Sequence, residues 1–466
     1  MRDPDLSTSP RAVWRLTWPQ MLMMYLMFLT GFIMVWAAGR ISADVQAALG
    51  MVTQTGIFLS VVIMAVSSGA TAAVSQSLGA RKLLRAQRYV SATVMGSMAL
   101  GIFMALAGYC FGDGILALLM VPDDILPITR ELWRVAMLTL PAQYLYAATG
   151  VVFRATRQVI PPLCVASLAC VVNFFACLGF GLGYFDLPSF GYMGLAWTNL
   201  GVQCLGAVCN CFLLLRSGYL QRRSVPDLRW LSAGIPYLLR VALPAGAASL
   251  VWQSGYLTLF VLVASLPQDS VSALAGLTAG LRMEALLFLP GMAFNTSVAV
   301  LVGNCLGAGR PDEARRVALN MVSLGTAAMS LVAAALWPFR PELAQLLSHN
   351  PGTQAQIVSY LTYNLLSTPF SIASTIMGGI MVGAGATRYN LMIFGGTFWL
   401  VRLPLGWLLG HVLWGASSGV FLAMLLSQCL QTCLMLHVVL RRDWTRFAMR
   451  RHGHTGSSAQ KSFSRR

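Results

Sequence analysis

The chain has 466 residues, 57% hydrophobic and only 10% charged, with a mean hydropathy of +0.69 and a formal net charge of +17. A soluble domain carries about 25% charged residues, and no soluble interior hides this much apolar surface, so a water-soluble fold is excluded. Apolar runs of about 20 residues or more, with no two-residue alternation, exclude a β-barrel and leave an all-α polytopic membrane protein.

The start, MRDPDLSTSPRAVWRLTWPQ, carries acidic residues and no small-residue cleavage site before a short apolar core. The first apolar run is therefore expected to stay as a helix, not to be removed as a signal peptide. Twelve transmembrane helices are expected at about residues 16–38, 46–74, 89–110, 132–153, 160–182, 193–215, 237–265, 272–302, 316–338, 355–383, 391–409 and 413–440. Turn strings separate them, among them FGDG, VPDD, YFDLPSFG, SLPQD and HNPGT. The longest basic linker, RSGYLQRRSVPDLRW, lies between spans six and seven. It divides the chain into a first lobe over residues 1–220, a linker over 221–235 and a second lobe over 236–440. The basic, Ser-rich tail over 441–466 is expected to be disordered.

Charge sets the expected orientation. Of the 32 Lys and Arg, four (Arg40, Arg130, Arg134, Arg340) fall in loops on one side and two (Arg282, Arg402) inside spans, and the rest gather on the other side. The positive-inside rule puts that richer side, with both termini, in the cytoplasm of a multi-pass protein of the inner (plasma) membrane. The same placement explains the net charge without a nucleic-acid partner. The ten cysteines form no C-x-x-C pair and most lie in apolar runs, as small packing residues. The five histidines form no metal-ligand pattern.

The stretch AVSQSLGARKLLRAQR at 73–88 returns as LVGNCLGAGRPDEARR at 301–316. Leu78 and Leu306, Gly79 and Gly307, Ala86 and Ala314, and Arg88 and Arg316 each stand 228 residues apart, as do Pro141 and Pro369, and Gly150 and Gly378. Agreement at several separate places excludes chance recurrence. The chain is an internal repeat, six spans and then six more, which makes it a parallel repeat of two six-helix lobes. Two such lobes leave a central cleft, and rocking one on the other gives alternating access. The arginines of the repeated loops are expected to anchor helix ends or lipid head groups, or to lock an outward-open state.

Across nearly its whole length the chain resembles the multidrug and toxic-compound extrusion (MATE) family. The resemblance rests on WPQMLMMYLMFLTGFIMVWAAGRISADVQAALG, SQSLGARKLLRAQR, LRMEALLFLPGMAFNTSVAVLVGNCLGAGRPDEARRVA and GGIMVGAGATR, in that order. It implies a twelve-helix secondary transporter that exports organic compounds, often cationic drugs, by H⁺ or Na⁺ antiport. In the family's first-lobe cation site an acid stands in span one, where this chain has Met34 in GFIMV. The resemblance carries over the span-five Asn as Asn173 and the span-six Thr as Thr198, while Cys177 replaces the family's Asp. The first lobe thus keeps polar ligands and has lost both carboxylates, which hard cations favour.

Three ionisable residues remain at mid-membrane: Arg282, Glu284 and Arg402. A charge at that depth costs a few kcal/mol or more, so each is expected to be paired or functional. Arg282 and Glu284 are two apart and point to different sides of a helix. Glu284 is expected to meet Arg402, either as a pair that fixes packing or as the group that takes up and releases the coupling proton. Trp252, Gln253 and Tyr256 are candidates to line a substrate cleft by stacking and cation–π contact, with Tyr144, Asn295 and Met34, and Tyr360 and Tyr363 beside them. The expected partners are a small organic substrate (cationic, neutral or anionic) and membrane lipid, for a protein acting as a monomer. No G-x-x-x-x-G-K loop is present, so no ATP drives transport within this chain and no cofactor is expected beyond the coupling ion. Rival readings are a lipid-linked saccharide flippase or a narrow-substrate metabolite exporter of the same superfamily. A membrane acyl- or glycosyltransferase would need a His or acid constellation at one face, and the only acidic cluster (Asp123, Asp124, Glu131) has no nearby His. An enzyme is therefore not expected.

Overall fold

The computed structural model describes residues 9–449 apart from 120, 187, 268, 269 and 349. Among the described residues twelve helices are long and apolar enough to cross a membrane: α1 Arg11–Ile41, α2 Ala43–Gly79, α3 Leu83–Cys110, α4 Leu126–Ala155, α5 Ile160–Gly181, α6 Gly191–Ser217, α7 Leu228–Ala264, α8 Ser270–Gly307, α9 Pro311–Leu336, α10 Pro351–Ala384, α11 Arg388–Leu413 and α12 Ser417–Arg441. Short polar side chains start several of them. Ser42 Oγ accepts from Val45 N at 3.1 Å, so one residue both ends α1 and caps α2. Asn350 Oδ1 accepts from Gly352 N at 2.9 Å at the head of α10.

Two boundaries differ from expectation. The linker over 221–235 is largely helix, because α7 begins at Leu228 directly after Pro226 and Asp227. Trp230 on that extra turn packs edge-on against Tyr89, with ring centroids 4.8 Å apart. The tail is ordered beyond Arg441, through a 3₁₀ turn at Trp444–Phe447. Trp444 is fully buried and donates from Nε1 to Val439 O at 3.0 Å, and Phe447 stacks edge-on against Tyr389. Two large aromatics in RRDWTRFAM hold this segment down against the pull of its charges. Residues 450–466 lie outside the described residues.

Each half packs around its own core. Ile33, Val52, Trp133, Leu140 and Leu195 lie in that of α1–α6. Leu259, Leu277, Tyr360, Phe398 and Phe421 lie in that of α7–α12. The two halves meet at the repeated stretches themselves. A Cβ on Gly79 would overlap the carbonyl oxygen of Asn304, and one on Gly307 would overlap that of Gln76. One on Gly303 would overlap Ser75 Oγ. In all three contacts the partners belong to residues 75–79 and 303–307, which the 228-residue offset maps onto one another. The ends of α2 and α8 thus cross as near-symmetric copies, with backbone on backbone where only glycine fits.

Hydrogen bonds reinforce the crossing. Gln76 Nε2 donates to Gly383 O at 2.8 Å, while its Oε1 accepts from Tyr237 Oη at 3.1 Å and from Met449 N at 2.8 Å. Gln20 Nε2 donates to Ser297 Oγ at 3.0 Å, and Thr296 donates back to Gln20 Oε1. Gln20, Tyr25, Gln76 and Tyr89 of the first lobe make hydrogen bonds to the second lobe and its tail. These lie between the middle of the bundle and the face that carries Arg81 and Arg310, called the basic face below. The lobes are closed there.

Gln76 and its repeat mate Asn304 differ in one respect. Both are buried, yet the Asn304 amide, one methylene shorter, has neither its nitrogen nor its oxygen partnered. Gln76→Leu leaves Gly383 O, Tyr237 Oη and Met449 N–H without a partner, a loss of about 3 kcal/mol at roughly 1 kcal/mol each. Asn304→Leu removes no hydrogen bond. Thermal unfolding of the purified protein is expected to show a fall of several degrees for the first and no fall for the second. Equal falls would show that the contact is packing alone.

Candidate functional site

The cavity with the chemistry of a site lies inside the second lobe, not between the lobes. It measures about 190 Å³ and is walled by Trp252 and Tyr256 of α7, Glu284 of α8, Tyr360 and Asn364 of α10, Arg402 of α11 and Gln428 of α12. Local sequence explains each wall. Gly280 stands one turn before Glu284 on the same face of α8, and a Cβ there would overlap the Tyr360 ring. The glycine lets that ring lie against α8, where its hydroxyl donates to Glu284 Oε2. Asn364, one turn after Tyr360, lines the same cavity wall as Glu284. Two polar residues at i and i+4 on α10 thus face the cavity that holds the acid.

The opposite charge is held differently. Arg402 is only 3% exposed. Its Nε donates to Ser427 Oγ at 2.8 Å and its Nη2 to Gln428 Oε1 at 2.5 Å, both on α12. The guanidinium lies 4.5 Å from the Phe398 ring centroid and 5.7 Å from that of Trp252. Gly255 makes room for this cluster, since a Cβ there would sit 2.6 Å from the Phe398 ring. Trp252, Tyr256 and Phe398 then pack pairwise with centroids 5.3 Å apart. Arg402 ends a π-helical segment, Thr397–Arg402, one of three such segments in α11. Widened turns of this kind recur at functional sites because they turn side chains off the regular helical stripe.

Glu284 and Arg402 share this cavity, but the ion pair expected between them is not formed. Ion pairs form instead at helix ends and loops, as in Arg130–Asp113, Arg310–Glu313 and Arg315–Asp443. The physical reason is local supply. Neutral dipoles on adjacent helices hydrogen-bond each charge where it stands, Tyr360 for the acid, Ser427 and Gln428 for the base. Arg282 is exposed, on another side of α8 from Glu284 as its spacing requires.

The other expected cleft residues disperse. Gln253 is half-buried on α7 and outside the cavity wall. Tyr144 is fully buried in the first-lobe core, donating to Leu59 O at 2.5 Å, so it packs α4 on α2 and does not face a cleft. Asn295 donates to Thr375 O at 2.6 Å and ties α8 to α10. Met34 is half-buried against the first-lobe core. Asn173 is fully buried and donates from Nδ2 to Thr30 O at 3.3 Å, with Cys177 Sγ 3.9 Å from its Oδ1. Thr198 is buried with its hydroxyl unpartnered. The first lobe therefore has polar groups and no carboxylate among them. Among the described residues no three His, Cys, Asp or Glu group to hold a metal ion. Sequence reasoning missed Asn364, Phe398, Ser427 and Gln428. The available signals were the i, i+4 spacing of Tyr360 and Asn364 and the polar Ser427–Gln428 pair in an apolar span.

Comparison with known proteins follows the same division into halves. Residues 19–178 and 244–408 both match the model of the MatE family. The probable multidrug resistance protein NorM of Bradyrhizobium diazoefficiens is 29% identical over 82% of this chain and 83% of its own length. An FAD transporter of Shewanella oneidensis is 23% identical over 71% of this chain and 72% of its own. Among solved structures, a mutant of the Vibrio cholerae MATE transporter VcmN superposes with a TM-score of 0.85 at 18% identity, covering 92% of this chain and 95% of that one.

Proposed function

Because this chain belongs to the MatE family of membrane transporters, we propose that it exports aromatic organic compounds in exchange for protons, with Glu284 as the coupling acid. It is a transporter and not an enzyme. One observation carries the reading: Glu284, the sole carboxylate in the middle of a span, stands on the wall of an aromatic cavity, hydrogen-bonded by Tyr360 and not in ion-pair contact with the Arg402 that shares the wall. Na⁺ fits less well, because a hard cation wants several oxygen ligands and more than one carboxylate.

The basic face lies toward the cytoplasm, so closure there makes this the outward-open state. In that state a proton from outside reaches Glu284. The lobes then rock about the α2–α8 crossing. On the inner side the proton leaves, and the substrate takes its place against Trp252 and Tyr256. Exchange follows because the acid serves one or the other. The protein acts as a monomer in the plasma membrane.

Purified protein in vesicles loaded with ethidium tests the reading. A pH gradient, acid on the side opposite the ethidium, is expected to drive its release, and a Na⁺ gradient is not. Release under Na⁺ alone would move the coupling ion, and no release under either gradient would overturn multidrug export. A second reading, a narrow-substrate exporter, is favoured by the buried Arg402 on the same wall, a group with no use for a purely cationic drug. The relative described as an FAD transporter shows that this range exists among similar chains.

A further inference from the structure

After its last membrane span the chain turns back across the basic face, and its contacts change owner within a few residues. Asp443 lies 3.8 Å from Arg315 of α9. Trp444 is fully buried in a core built largely from α8, α9, α10 and α12. Phe447 packs edge-on against Tyr389 of α11, and the Arg240 guanidinium of α7 lies 5.5 Å from its ring centroid. These anchors belong to the second lobe. Met449 belongs to the other. Its N–H donates to Gln76 Oε1 of α2 at 2.8 Å, and its Sδ lies 4.0 Å from Tyr89 Oη of α3. Its side chain packs on the core cluster that holds Val74, Leu78 and Tyr89.

We propose that residues 444–449 form a strap that holds the basic face closed, anchored in the second lobe at Trp444 and Phe447 and clipped to the first lobe at Met449. The proposal rests on the reading of the basic face as the inner gate and adds to it a tie outside the membrane spans.

The anchors are firm and the clip is light. Trp444 is a large buried ring whose Nε1 is bonded within its own lobe, to Val439 O at 3.0 Å. Met449 is half-buried and offers one main-chain N–H and a flexible thioether. The clip lands on Gln76, whose amide also bonds Gly383 O and Tyr237 Oη. One first-lobe side chain thus carries three second-lobe partners, and bonds that share one amide are lost together when the lobes part. The strap also runs close over the turn that ends α10. A Cβ on Gly385, at φ +78°, would lie 2.7 Å from Tyr237 Oη and 3.3 Å from Phe447 O. A tail that only covered second-lobe surface would have no use for Gln76. With the clip in place the outward-open state is favoured, and the apparent affinity for a substrate arriving from the inner side falls with the fraction of inward-open protein.

Met449→Pro removes the donor and the side chain together. Ala448 already has φ −59° and ψ 157°, the extended backbone that a residue before proline favours, so the anchors stay in place. In a background whose one cysteine is Cys305, maleimide labelling in detergent, without substrate or gradient, reads the opening of the basic face. Met449→Pro is expected to label at least about fivefold faster than the parent, as the inward-open population rises. A chain stopped after Ala448 should match it. A chain stopped after Arg450, which keeps the clip, should match the parent, and so should Met449→Leu, which keeps the N–H and an apolar side chain. Parent-like labelling of both Met449→Pro and the Ala448 chain overturns the strap, and rapid labelling of the Arg450 chain overturns its assignment to Met449. If Met449→Pro fails to fold, the Ala448 chain carries the test. Gly79→Leu, which forces the α2–α8 crossing apart, is the positive control. Rapid labelling there with slow labelling of Met449→Pro sinks the strap alone, and slow labelling of both sinks the inner-gate reading with it. Labelling needs no transport, so a failure of proton exchange leaves this result intact.

Discussion

Gly79→Leu is expected to reduce transport at least tenfold while leaving membrane insertion intact. The ends of α2 and α8 touch through main-chain atoms, and even a Cβ at Gly79 would overlap the carbonyl oxygen of Asn304. A flexible side chain could swing aside, but a helix backbone cannot. A leucine adds three further carbons to that overlap, so the helix ends must separate and the basic face must open. Overpacking costs of about 1–3 kcal/mol are enough to invert an equilibrium between two states of similar energy. Cys305, 1% exposed on α8 beside the crossing, is a native reporter. With the remaining cysteines removed, it is expected to be protected from maleimide in the parent and labelled in Gly79→Leu. Gly96→Leu is the control, because nothing lies within 4 Å of a Cβ there. Normal export with Cys305 still protected would show that the crossing is not the inner gate.

The repeat behind that crossing was legible in the sequence, but the crossing itself was not. The 228-residue offset relates the two lobes by symmetry, and equivalent residues meet only where they lie beside the axis, which the folded structure had to show. The twelve helices were legible for a simpler reason: lipid demands long apolar runs with every backbone group bonded internally. The site was less legible. A charge in a span announces that it needs a partner, but not whether that partner is charged. Arg402 found Ser427 and Gln428, and Glu284 found Tyr360, so an expected ion pair became two separate charges. Tyr144 and Asn295 failed for the same reason. A hydroxyl or amide in an apolar helix bonds to any free carbonyl in reach, and Leu59 O and Thr375 O were nearer than a cleft. The order after Arg441 was hidden because composition averages over a segment, whereas two aromatics, Trp444 and Phe447, anchor it. Hydropathy placed the elements well, and pairings that depend on which dipole stands one turn away needed the folded structure.

Glu284→Gln is expected to abolish proton-driven export, by a hundredfold or more, with little change in folding. The substitution keeps the side chain's shape and an oxygen to accept from Tyr360, so the contact of α8 with α10 survives. What it removes is the ability to gain and lose a proton in the middle of the bundle. No second acid can take over, because in the first lobe Met34 and Cys177 stand where carboxylates would be needed. The structural alternative makes an opposite forecast. If the acid serves only to balance Arg402, the substitution leaves an uncompensated buried guanidinium, and unfolding temperature falls together with transport. Thermal unfolding and export measured on the same preparation separate the two. Loss of export at an unchanged unfolding temperature supports coupling, and export that survives the change removes Glu284 from the transport cycle. The absence of an ion pair between Glu284 and Arg402 favours the first outcome. A carboxylate held by a tyrosine hydroxyl keeps its hydrogen bond in either protonation state with small rearrangements, whereas one locked to arginine would have to break a salt bridge in every cycle.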